Sequence, residues 1–498
     1  MTTARLFLGI DCGTQGTKAL ILDSHSGAVL GLGSAPHSLI SGANGRREQE
    51  PEQWLHASTA AVHQALQVAG VDGRDILGIG VSAQQHGLVL LDKQGQVLRP
   101  AKLWCDTESS AENQRLLEHL GGTRGSLERL GLALAPGYTV SKLLWTLEQH
   151  PQLLQRIGHI LLPHDYLNFW LSGRCCSEYG DASGTGYFDV RRRDWDRPLL
   201  AHIDPSGGLE QALPQLIESH QAVGRVLPEI ARQLGINPEA LVASGGGDNM
   251  LGAIGTGNIR PGIITMSLGS SGTLYAYSDQ PQVAGEAEVA CFCSSSGGWL
   301  PLICSMNLTN ATHKVRELLE LDLATFNLRV AEAPIGTEGL RLLPFFNGER
   351  VPALPQARGQ LLGMTLDNLT QANLCRAVVE GCTLGLRYGL DLLRANGLQS
   401  RSIRLIGGGA KSPLWRQMVA DIMGTEVICP RETEAAALGA AIQAAWCHGR
   451  QSDPNLELQQ LCERCVSLDP YSQCQPRAEQ MVAYEALYAD YLKLLSTL

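Results

Sequence analysis

Little in this chain would take it to a nucleic acid, a membrane or a polymer. Aromatic residues make up 5% of the 498 positions, too few to line a long polysaccharide groove. There is no long run of lysine and arginine, and the formal net charge is −10, which argues against a nucleic-acid surface. An anionic ligand must therefore be held locally. No apolar stretch is long enough to span a bilayer, and Met1 to Arg5 runs straight into a strand without a signal-peptide core, so a cytoplasmic protein is expected. The 14 cysteines are scattered, and the nearest groups, Cys175-Cys176 and Cys291-x-Cys293, lack the second pair or histidines of a zinc site; they read as reduced thiols. Gly-x-x-x-x-Gly-Lys-(Ser/Thr) is absent, and the Gly-Gly-Gly turns do not follow Gly-x-Gly-x-x-Gly. Any nucleotide cradle here is of another kind.

What the chain does have is a stretch that occurs twice. Leu6 to Asp23 places Gly13-Thr-Gln-Gly-Thr17 between two apolar runs, and Ile263 to Ser278 places Gly269-Ser-Ser-Gly-Thr273 in the same way. Each reads as a β-hairpin. The copies lie about half a chain apart, which predicts two related lobes, 1–247 and 248–498, with a cleft between them. The length itself favours at least two compact units. Turns of small residues expose N–H groups and hydroxyls that suit phosphate oxygens. Asp11, just before the first turn, is the type of oxygen ligand that Mg²⁺ prefers beside a phosphate, although a carboxylate there also stabilises hairpins. Lys18 has no assigned role.

The sharpest single signal is Asp248, which follows Val242-Ala-Ser-Gly-Gly-Gly247 at the end of an apolar strand, where α/β sheets place their chemistry. Phosphoryl transfer to an alcohol needs a carboxylate that takes the hydroxyl proton; an N-cap for the helix starting at Asn249 is the plainer role. Gln85 and His86, after the strand Ile76 to Ser82, and Trp104 with Asp106 would together make a polar pocket with one aromatic wall, suited to a polyol.

The rest reads as strands and helices in α/β order. Arg47 to Glu50 with Pro51 is expected to start a helix running to Gly70, and Trp104 to Thr107 another. Gly180 to Arg193 reads as a loop with a strand at Tyr187 to Val190, and Leu199 to Leu241 as mostly helical. Glu434 to His448 is a helix of small residues, suited equally to close packing and to an ordinary core. After Ser452 only a final amphipathic helix is legible.

In order along nearly the whole chain, Asp11-x-Gly-Thr-x-x-Thr-Lys18, Gly246-Gly-Asp248, Leu268-Gly-Ser-Ser-Gly-Thr273, Gly359 to Glu380 and Gly407-Gly-Gly-Ala-Lys-Ser412 resemble the FGGY carbohydrate kinases. Gly137 to Trp145 matches that family's other signature less well, with Thr146 where an apolar residue is usual. The resemblance implies an α/β, two-lobed fold of the actin and hexokinase (ribonuclease H-like) type, closing on Mg²⁺-ATP and a sugar. It implies Asp248 as base and Asp11 as the holder of Mg²⁺. Thr14, Thr17, Gly269, Ser270, Ser271, Gly272 and Thr273 would border the phosphates, and Gly407, Gly408 and Gly409 the adenosine. Gln85, His86, Asp106 and Asn249 would contact the sugar. Gln85-His-Gly87, Trp104-Cys-Asp106, Asp181 to Thr185 and Phe346 to Arg350 are most similar to members that act on a ketopentose, which implies transfer to the 5-hydroxyl of D-xylulose. Ribulose, glycerol or gluconate as acceptor, and a nucleotide-binding scaffold or sensor without turnover, are the alternatives. A homodimer is an assembly the sequence leaves open.

Overall fold

The computed structural model describes residues 5–283 and 285–498, and among them two seven-stranded sheets set the architecture. In the first, β1 (Leu6–Cys12), β2 (Gly16–Asp23) and β3 (Ala28–Pro36) form an antiparallel meander, and β4 (Ile76–Ala83) pairs in parallel with the other side of β1. β5 (Ala222–Arg225), β6 (Leu241–Ala243) and β7 (Gly246–Gly247) complete it, β6 and β7 both on β4. The second sheet repeats the plan. β8 (Gly262–Leu268) and β9 (Gly272–Ala276) are its hairpin, β10 (Ala290–Cys293) and β11 (Trp299–Ser305) extend the antiparallel side, and β12 (Ser400–Ile406) pairs with β8 in parallel. β13 (Glu426–Pro430) and β14 (Leu468–Cys474) close that side. The duplicated turns thus mark a duplicated topology.

Helices cover both sheets, which is why the hairpin strands are buried almost continuously instead of on alternate residues; in β1 only Asp11 keeps partial exposure. Four helices matter most: α1 (Pro51–Ala69) on β2 and β3, α2 (Asp248–Gly255), α3 (Gln371–Ala395) and α4 (Ala435–Gly449). Although α4 belongs to the second half of the chain, it lies on β1 and β4 of the first sheet. The approach is very close. Gly9 and Gly80 are register partners, and a Cβ at either would stand 1.9 Å from the Ala437 carbonyl oxygen or 2.0 Å from that of Ala440. On its other side α4 crosses α2 at Gly439 and Gly255, where an added Cβ would come within 1.8 Å of a backbone oxygen in each case. The small residues of α4 therefore serve close packing, and that packing fixes α2, whose first residue is Asp248, against the first lobe.

Several local expectations are corrected. Arg47–Gln49 is a strand paired with Ala101–Lys102, and the helix starts only at Pro51, because the residue before a proline is driven to the extended conformation that Glu50 adopts. Trp104 to Thr107 is a turn; the next helix begins at Ser110. Residues 199–241 hold two strands as well as short helices, since apolar runs this brief fit either period. The strand expected at Tyr187 to Val190 shrinks to Phe188–Asp189. The tail supplies more than a last helix: β14 belongs to the second sheet.

Candidate active site

A cavity of about 520 Å³ opens between the lobes. Gln85, His86, Trp104 and Tyr138 line it from the first lobe, Asp248 and Asn249 from the start of α2, and Ser267, Gly269, Ser270, Ser271, Thr273 and Arg350 from the second. Its size suits a small ligand.

Asp248 reaches the cavity because β7 pairs with β4 and then turns into α2 with Gly247, not Asp248, as the N-cap. One carboxylate oxygen, Oδ1, accepts from the Asn249 backbone N–H (2.7 Å) and from Asn249 Nδ2 (2.9 Å); the same Nδ2 donates to Gln85 Oε1 at 2.9 Å. Two of the expected sugar contacts, Gln85 and Asn249, thus share one hydrogen-bond group with the expected base. Burial, and then the nearby Asp11 carboxylate, push the Asp248 carboxyl up to about 7, against the Asn249 N–H. A carboxyl poised there can accept a proton near neutrality.

Asp11 sits at the end of β1, in register with Lys18 on β2 and Ser82 on β4. Ser82 Oγ donates to its Oδ1 at 2.8 Å, yet burial raises this carboxyl too, to about 6. Lys18, whose ammonium opposes that rise, is ion-paired with Glu434. The Asp11 carboxylate, close enough to Asp248 to disfavour its charge and standing beside a hairpin that offers hydroxyls, is an oxygen donor that fits a hard divalent cation such as Mg²⁺.

His86 adopts a positive φ of 64° and its Nδ1 lies 2.7 Å from the Gly184 carbonyl oxygen. Its ring packs edge-on against Tyr138 at 4.7 Å and beside Phe292 at 5.6 Å. Burial, aided by the Lys142 ammonium, lowers its pKa to about 3, so it is a neutral hydrogen-bonding group. Lys142 is itself buried and donates to the carbonyl oxygens of His86 (2.6 Å), Gly137 (2.7 Å) and Leu103 (3.0 Å), pinning three segments of the sugar-side wall.

Other expected residues lie elsewhere. Asp106 is fully buried and does not line the cavity: its carboxylate accepts from the Arg47 N–H at 2.7 Å and is ion-paired with Lys102 at 3.2 Å. Glu48 and Glu108 surround the same ammonium, and Arg46 and Arg99 also pair with Glu48, so this acidic group is already engaged by cationic side chains. Thr17 is turned inward, its Oγ1 3.1 Å from His37 Nε2. Thr14 Oγ1 accepts from Trp104 Nε1 at 2.9 Å, which ties the hairpin turn to the aromatic wall. Gly272 starts β9, where a Cβ would stand 2.8 Å from Ser305 Oγ. Gly407 (φ 89°) follows β12, and a Cβ there would be 2.8 Å from the Leu268 carbonyl; Gly408 and Gly409 continue beside the second hairpin, outside the cavity wall. Tyr138, Phe292, Lys142 and Arg350 were not singled out from the sequence. Three of them stand inside motifs quoted above, but neither spacing nor residue type shows that those motifs converge.

A cleft lined by a small-residue hairpin turn, with a poised aspartate at a strand-to-helix junction, defines a two-lobed phosphotransferase that acts on a small hydroxylated acceptor. The chain belongs to the FGGY family of carbohydrate kinases: residues 6–255 match the family's N-terminal domain and residues 267–448 its C-terminal domain. It is 50% identical over 501 aligned residues, 99% of this chain and 100% of the relative, to a xylulose kinase of Haemophilus influenzae. The xylulose kinase structure from Bifidobacterium adolescentis superposes with a TM-score of 0.81 at 30% identity, covering 97% of this chain and 99% of that one. A gluconate kinase from Lactobacillus acidophilus gives 0.91 at 23% identity, over 99% and 98% of the two chains. That last likeness shows the fold alone.

Proposed function

We propose that this kinase transfers the γ-phosphoryl group of ATP to the 5-hydroxyl of D-xylulose, with Asp248 as the base. The observation that carries the reading is the Gln85–Asn249–Asp248 hydrogen-bond group on the wall of a cavity of sugar size, together with extensive identity to a relative named for that substrate. Asn249 engages Oδ1 of Asp248, and the carboxylate takes the hydroxyl proton as the hydroxyl oxygen attacks phosphorus. Gln85 and neutral His86 orient the acceptor. The second hairpin, with Ser270, Ser271 and Thr273 on the cavity, and the first, with Thr14, hold the phosphates; Gly407 to Gly409 border the adenosine. Asp11 holds Mg²⁺, which when bound neutralises charge on the phosphate oxygens. The halves 1–247 and 248–498 divide at the strand end that delivers Asp248, with α4 of the later half packed on the first sheet. Asp106 acts on the sugar only through the wall it braces.

The test is a coupled ADP-release assay over ketopentoses, alditols, gluconate and glycerol. Turnover should be highest with D-xylulose. No turnover of that sugar, with another acceptor used well, overturns the substrate assignment.

A further inference from the structure

The reaction site rests on a buried charge pair that neither the cavity nor the reaction itself requires. His164, on the helix Pro163–Ser172, is fully buried; its Nδ1 donates to Asp181 Oδ2 at 2.6 Å, and its Nε2 lies 3.0 Å from Asp165 Oδ1. Asp165 is held in turn by the Leu162 backbone N–H at 2.9 Å. Flanked by two carboxylates, His164 is kept protonated despite its burial, and its hydrogen bond and charge oppose the rise that burial imposes on the Asp181 carboxyl. The other oxygen, Asp181 Oδ1, is buried without an aligned hydrogen-bond partner, and so is Gln85 Nε2. One is an acceptor and the other a donor. They are neighbours: a Cβ on Gly247 would stand 3.0 Å from Asp181 Oδ1 and 2.7 Å from Gln85 Cγ, and the Gln85 amide is among the groups that hold the Asp181 carboxyl down.

We propose that Asp181, anchored by His164, is a positioning residue that fixes which way the Gln85 amide faces and, through it, orients the Asn249–Asp248 pair. With Oδ2 engaged by His164 and the proton of that contact held between them, Asp181 Oδ1 can only accept, so it selects the amide orientation with Nε2 toward Asp181. Gln85 Oε1 must then face Asn249, and Asn249 must offer Nδ2, the group that donates both to Gln85 Oε1 and to Asp248 Oδ1. Each group fixes the next, from a buried imidazolium to the base. With asparagine at 181 the end of the chain offers donor and acceptor alike, and a reversed Gln85 amide would set N–H against N–H at Asn249. The inference rests on Asp248 as the base.

The test is a double-mutant cycle of Asp181→Asn with Gln85→Met, whose side chain has no amide to orient. In the parent, Asp181→Asn should lower kcat/KM for D-xylulose roughly ten- to a hundredfold, the value of a hydrogen bond to a charged group, and leave KM for ATP within about twofold. With Met at 85 the same substitution should cost less than about threefold. Equal losses in both backgrounds, or a matching rise in KM for ATP, overturn the relay, since packing damage does not depend on the Gln85 amide. If Asp181→Asn fails to fold, His164→Gln replaces it in the cycle and is read by the same criterion. An active parent with an additive cycle refutes the relay alone. A parent inactive on D-xylulose refutes the substrate assignment, and the cycle is then run on the sugar that is turned over; near-normal turnover by Asp248→Asn refutes the base.

Discussion

Replacing Asp248 with asparagine should do two opposite things. The side chain keeps its shape and can still accept from Asn249, so binding geometry is preserved while the proton acceptor is lost. General-base catalysis contributes roughly 10²- to 10⁴-fold, and kcat should fall by that amount with KM for ATP little changed. Stability should rise. The carboxyl ionises at 3.8 when unfolded and at about 7 in the folded chain. Between those pH values the folded state binds the extra proton, so stability falls as pH rises and the full cost is present above the folded value. At 1.36 kcal/mol per pH unit this is about 4 kcal/mol as a ceiling; because Asp248 keeps partial contact with the solvent in the cleft, about 2 kcal/mol is expected. For a lobe of this size that is a rise of about 4 °C in thermal midpoint. Calorimetry of parent and variant at pH 8 and pH 5, run beside the coupled assay, measures both effects. The gain should be large at pH 8 and shrink at pH 5. Near-normal turnover would refute the base assignment, and a midpoint that falls, or rises equally at both pH values, would refute the electrostatic account of the carboxyl.

Asp11→Asn should raise the Mg²⁺ concentration needed for half-maximal rate at least tenfold, and an unchanged Mg²⁺ titration counts against its role. The acid limb of kcat/KM should lie between about 6 and 7, the range to which the Asp11 and Asp248 carboxyls are raised, because the protonated base is inactive. His86→Gln should leave that limb in place, since His86 is neutral throughout the range; a limb that disappears would assign the titration to the imidazole. Gly80→Val would drive a side chain into the Ala440 carbonyl 2.0 Å away and should destabilise the protein by about 3 kcal/mol or more, read as a lowered thermal midpoint and displaced α4. Small-angle scattering should show contraction when sugar and a non-hydrolysable nucleotide bind together, because phosphoryl transfer requires the cleft to exclude water; identical profiles would refute closure.

Much of the fold was legible because its signals are local. The two small-residue turns announce hairpins wherever they occur, and their repetition was enough to predict two lobes. Their strands read correctly because each is a continuous apolar run. The errors fall where tertiary pairing overrides a weak local pattern: Arg47–Gln49 becomes a strand only because Ala101–Lys102 lies beside it, and β5 and β14 are edge or closing strands whose few apolar residues carry no clear period. The small residues of α4 were equally compatible with two roles until Gly9 and Gly80 were seen facing Ala437 and Ala440.

By itself, then, the sequence determined the duplicated hairpins, the two-lobed α/β plan and the candidate acids Asp11 and Asp248, because each is written in a short run whose chemistry and conformation are set by neighbours in the chain. Only the tertiary structure decided what those residues meet. It turned Asp106 and Thr17 into the wall, brought Tyr138, Phe292 and Arg350 to the cavity from distant segments, and drew Lys18 away to Glu434. It also shifted both acids upward, since burial and the charges of neighbouring carboxylates depend on what closes around a group rather than on what stands beside it in sequence.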